Sequence, residues 1–184
     1  MSYIEKITND MLATFPAPML GITGEPTLRE LIRIIKHLME FSQKVKSDIL
    51  PLNYLFLVLE SDLYATHTAD PYPAVPAHPG HMPVYVDPSM AGERANIKQE
   101  WEYALMRHNN CLNMNAALKS CFLSLIDSNI VDTYKNVAGI LNPNCAYIQL
   151  LDWFTTRYAT LNKAVCSQKP RWKPPGTQGV NLKH

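Results

Sequence analysis

Between Gly92 and Gly139 the chain contains neither proline nor glycine, while its 14 prolines crowd elsewhere. They fall mainly at Pro16 and Pro18, between Pro71 and Pro88, and between Pro170 and Pro175. Proline has no N–H to give to a helix or a ladder, so its clusters mark breaks, and the stretch without it is where a long helix can run. Within that stretch Ile97, Trp101, Leu105 and His108 recur at spacings of four and three, and Leu112, Ala116, Cys121, Leu123 and Ile126 continue the apolar series. One long helix, or two broken near Asn109 and Asn110, both fit.

Upstream, Thr27 and Glu30 form a capping-box pair ahead of Leu28, Leu31, Ile32, Ile35, Leu38, Met39 and Ser42, which predicts a helix over 27–46. Pro51 can open a second helix, in which Leu52, Leu55, Phe56, Leu59 and Leu63 share a stripe to about Tyr64. Residues 65–88 read as a proline-rich extended loop, with Val84, Tyr85 and Val86 as a short strand. Further helices are expected over 130–137, ended by Gly139, and over 146–158, with Ile148, Leu151, Trp153, Phe154 and Tyr158 facing the core. The fold class is therefore mainly α. An extended segment over 1–26 precedes a helical domain over 27–166, and a basic, proline-rich, disordered tail follows over 167–184.

Charge separates tail from body. The formal net charge is +1, yet the tail holds Lys169, Arg171, Lys173 and Lys183 and no acid. Taking those four from 17 basic residues leaves 13 against 16 acidic ones, a net of −3 over 1–166. Such a tail attracts polyanions weakly and in a salt-sensitive way. No apolar run approaches the roughly 20 residues that span a membrane, and the first ten residues carry acids without a hydrophobic segment. A soluble, cytoplasmic protein is expected. Cys111, Cys121, Cys145 and Cys166 have no close pair, which suits buried reduced thiols better than a zinc knuckle or a disulfide framework.

Sites for chemistry are sparse. His67, His78 and His81 lie within 15 residues, with Asp70 nearby, but a proline-rich loop lacks the fixed geometry a metal needs. Exposed or turn-stabilising roles suit them better. Cys111 lies three residues after His108, yet its surroundings are apolar, unlike those of an activated thiol. Glu100 and Glu102 point to different helical faces, and the common phosphate-loop, dinucleotide and zinc-protease motifs are missing. No enzyme activity, cofactor or small-molecule substrate is expected. Arg171, Trp172 and Lys173 combine cations with an aromatic that can stack on a base, or can simply belong to a solvated linker.

An ordered series of short motifs resembles the gag-like proteins of copia-type retrotransposons, especially those of algae and diatoms. Phe15-Pro-Ala-Pro-Met-Leu and Gly24-Glu-Pro-Thr-Leu resemble the family's F-P-x-P-x-L segment and its G-x-P-T helix start. Pro76-Ala-His-Pro-Gly80 with Pro83 is similar to its P-x-x-P-G-x-x-P loop, and Ile97 and Tyr103 follow in the long helix. Asn115-Ala-Ala-Leu-Lys119 resembles N-x-x-L-K, and Leu150-Leu151-Asp152-Trp153 with Arg157-Tyr158 resembles the L-x-x-L-x-x-x-Y-G end. The match covers about residues 15–164. Ala159 stands where that family has glycine, and the tail takes the place of further helices and a CCHC knuckle.

The resemblance implies a helical capsid-like bundle that associates with copies of itself, into an oligomer or a shell, and with RNA. Extended prolines lose little entropy on docking, so the N-terminal segment and the 65–88 loop are the expected contact elements, with Phe15, Met19, Tyr72 and Tyr85 as anchors. Lys169, Arg171, Trp172, Lys173 and Lys183 are the residues expected to hold nucleic acid. A non-assembling nucleic-acid adaptor working through the tail is the alternative.

Overall fold

The computed structural model describes residues 2–15, 21–48, 52–84, 91–137 and 146–159. Helices joined by turns and extended chain make up this set, with no strand among the described residues. The mainly α class follows directly.

The first helix, α1 (Tyr3–Thr14), stands where an extended segment was expected over 1–26. Its cause is a capping box: Ser2 Oγ accepts from the Glu5 amide at 3.1 Å, while Glu5 accepts from the Ser2 amide at 2.6 Å. Behind the box, Ile7 and Met11 are buried one turn apart. Phe15 caps the helix and is itself buried, its ring 4.1 Å from that of His37.

Helix α2 (Leu28–Lys44) begins on the second capping box, where the Thr27 hydroxyl and backbone N–H hold Glu30 and keep its carboxyl below the usual range. The buried stripe is Leu31, Ile34, Leu38 and Ser42, so Ile34 takes the place expected for Ile32, which is 54% exposed. The chain then folds back through Asn53, a non-glycine residue at φ 53°. Asn53 accepts from the Ser47 amide and donates to the Gln43 carbonyl, which satisfies the end of α2 and fixes the turn.

The expected second helix does not form as one piece. A 3-10 turn at Leu55–Leu57 and the four-residue α3 (Ser61–Tyr64) are separated by Glu60 in extended conformation. Tyr54 through Leu59 are all buried, whereas Leu63, expected on the same stripe, is 55% exposed. A run apolar at every position gains most by coiling tightly inside the bundle, and the Asn53 turn prevents a regular helix from starting earlier.

Helix α4 (Ala91–Leu125) is continuous through Asn109 and Asn110 for 35 residues, about 52 Å at the usual rise. Its two halves differ. From Cys111 onward it supplies the centre of the core, including Met114, Leu118, Cys121 and Phe122, and it packs against α1 and α6. From Gly92 to Asn110 no described side chain is fully buried. Helix α5 (Ser128–Val137) starts at Asp127, whose carboxylate takes the Asn129 amide at 2.9 Å. The expected stop at Gly139 lies outside the described residues. Helix α6 (Tyr147–Ala159) receives its first amide bond from α4, since Tyr147 N–H donates to Asn115 Oδ1 at 2.8 Å. Phe122, Tyr147, Phe154, Tyr134 and Trp153 then stack edge-to-face between α4, α5 and α6.

Candidate assembly surface

The proline-rich loop acts as a strap on the outer half of α4. It is anchored first by Tyr72, whose hydroxyl faces the Phe56 and Leu59 carbonyls at 2.6 and 3.1 Å. Burial raises the pKa of that phenol, and its ring stands edge-on to Tyr64 at 5.3 Å. Tyr72 is thus held inside its own chain, with 39% of its surface left open.

Beyond Tyr72 the strap runs antiparallel to the helix. His108 Nδ1 is 2.7 Å from the Pro76 carbonyl, and Trp101 Nε1 donates to the Gly80 carbonyl at 3.2 Å. Seven helical residues rise about 10 Å and four residues of polyproline-like chain about 12 Å, so the two contacts stay in step. Gly80 sits at φ +77°, a turn that its missing Cβ permits, and its amide donates to His78 Nδ1 at 3.0 Å. The ring of His78 stands edge-on to that of His108 at 5.2 Å. At the far end Met82, Pro83 and Val84 meet Arg94, Ala95, Ile97 and Lys98 around a shallow groove of about 600 Å³. Val84 is 90% exposed and not in a strand, while Tyr85 and Val86 lie outside the described residues.

His78 and His108 therefore join the strap to the helix. His67 continues the turn after α3, donating its amide to the Tyr64 carbonyl, and His81 is exposed. No group of three ligand-type side chains comes together among the described residues. Cys111 and Cys121 are buried free thiols whose pKa values burial pushes up to about 11 and about 12. A thiol protonated to that degree is a poor nucleophile, and the His108 ring bonds to Pro76.

On the side of α4 away from the strap, Tyr103 and Met106 are 47% and 46% exposed. The Arg107 guanidinium lies 5.8 Å over the Tyr103 ring. Sequence reasoning passed over this pair because it sought anchors in the proline segments and treated the long helix as core. Spacing alone contained the signal, since Tyr103 and Met106 fall outside the Ile97, Trp101, Leu105, His108 stripe.

Of the four expected anchors, Phe15 is a core residue and Tyr72 is largely engaged within the chain. Met19 and Tyr85 lie outside the described residues, as do Lys169, Arg171, Trp172, Lys173 and Lys183. No helix among the described residues is long and apolar enough to cross a membrane. Comparison with protein-family models, with curated proteins and with solved structures finds no match.

Proposed function

We propose that this chain is a non-enzymatic structural protein whose copies associate through their helices into an oligomer or shell, in the manner that its gag-like motifs imply. The observation that supports this most is the division of α4. Its second half is core, while its first half carries exposed Tyr103 and Met106 on one side and a strap on the other. A helix extended beyond the bundle that buries it is stable in water only with added cover, and the strap covers one side of it. Each contact between copies can be modest when many act together.

RNA is the second partner in this reading, held by the cations of the tail. Light scattering and negative-stain microscopy of the purified chain across salt concentrations test the proposal. Particles or oligomers that persist after deletion of 167–184, with loss of co-purifying RNA, are the expected result. A strict monomer whose only activity is RNA binding through the tail would instead make it an adaptor.

A further inference from the structure

Resting on the self-association just proposed, we infer that the first half of α4 pairs antiparallel with the same segment of a second copy, centred on Tyr103 and Met106. The argument begins with spacing. Gly92, Asn96, Gln99, Tyr103, Met106 and Asn110 alternate in steps of four and three, which places them along one side of the helix. All are exposed except the half-buried Asn110.

Continued into the second half of α4, the same stepping reaches Ala117 and Ser120. There the stripe is already a helix-packing face. Ala117 is fully buried, and Ser120, itself exposed, borders a surface groove with Ile4, Thr8 and Asn9 of α1. Helix α1 thus packs along the stripe in the body of the domain, and the outer half of the same stripe has no described element over it.

Charge then selects the occupant, and the packing of α1 sets its direction. Glu100 and Arg107 are seven residues apart and occupy equivalent positions beside the stripe. When two copies meet head to tail around Tyr103 and Met106, Glu100 of each faces Arg107 of the other, giving two equivalent ion pairs about a two-fold axis. Arg107 is prepared for this: it is held over Tyr103, and its buried Nε has no hydrogen-bond partner among the described residues. A parallel partner would also set Arg107 against an acid, Glu102, so direction is chosen by α1, which packs along the second half of α4 where a parallel partner's helix would have to continue. The overlap is short, so the contact is weak taken singly and suited to an assembly with several kinds of contact.

Charge reversal tests the pairing, with the full chain followed by sedimentation velocity and circular dichroism used to check that helix content is unchanged. Glu100→Arg and Arg107→Glu are each expected to weaken self-association about tenfold or more, and the double variant to return within about threefold of the wild type. A double variant as weak as the singles overturns the antiparallel pairing. Self-association that ignores both reversals overturns this interface but leaves the assembly reading standing. A wild-type chain that stays monomeric removes both.

Discussion

The carboxylate of Asp127 accepts the backbone N–H of Gly24 at 3.0 Å, joining residues 103 positions apart. Its other oxygen takes the Asn129 amide at 2.9 Å, so one side chain both caps α5 and ties the approach to α2 onto the end of α4. Ile22 strengthens the tie by donating its amide to the Leu125 carbonyl. The Gly24 amide, followed by that of Asn129, holds the Asp127 carboxyl below its ordinary value of 3.8.

A depressed folded-state pKa contributes stability above the unfolded value and loses it as pH falls through the folded one. Replacing Asp127 by Ala should therefore lower the melting temperature at neutral pH. The gap between variant and wild type should narrow as pH falls below about 4. Thermal unfolding followed at several pH values checks this, and a gap independent of pH would count against the assignment.

Tyr147 is fully buried, and its hydroxyl has no hydrogen-bond partner among the described residues. Burial also raises its pKa well above the ordinary phenol value. Removing a buried, unpaired hydroxyl relieves a desolvation cost, so Tyr147→Phe should stabilise the fold by about 1 kcal/mol. Chemical denaturation measures the difference. A loss of stability would mean that the hydroxyl is satisfied in solution.

Phe122 is fully buried and meets Tyr147 and Phe154 edge-to-face at 5.9 and 5.1 Å. Its truncation to Ala should cost about 3–5 kcal/mol, a large part of the roughly 5–15 kcal/mol that holds a domain together. The expected readout is a lower denaturation midpoint, with loss of near-ultraviolet circular dichroism before helix content falls. A cost under about 1 kcal/mol would contradict this core.

The Gly80 end of the strap is held to α4 by an exposed bond from the Trp101 indole. Trp101→Phe should make residues 81–84 cut several-fold faster in limited proteolysis while the global stability changes by less than about 0.5 kcal/mol. Equal cutting rates in the two proteins would show that the indole does not hold the strap.

Sequence made the helices legible where a cap and a periodic apolar face coincide. Thr27 and Glu30 announce α2, and the absence of proline and glycine after Gly92 announces α4. The same signature stands at Ser2 and Glu5, yet α1 went unread because its apolar face is narrow and resides in Ile7 and Met11. Ile32 and Ile34 illustrate a finer distinction. Ile34 lies three residues after Leu31 and four before Leu38, on the line of the buried stripe, whereas Ile32 stands about 100° round the helix from Leu31 at the edge of that face. The run from Tyr54 to Leu59 hides its form for another reason: residues apolar at every position carry no period, so helix and compact turn look alike. For the surface around Tyr103, spacing places the residue off the apolar stripe, but its exposure depends on what neighbouring elements leave uncovered.

Concentration-dependent sedimentation of the full chain tests the central claim most directly. The assembly reading predicts a mass that rises with concentration above the 20.8 kDa of one chain. A single 20.8 kDa species persisting to about 1 mM, weaker than the usual range for a specific contact, would contradict it.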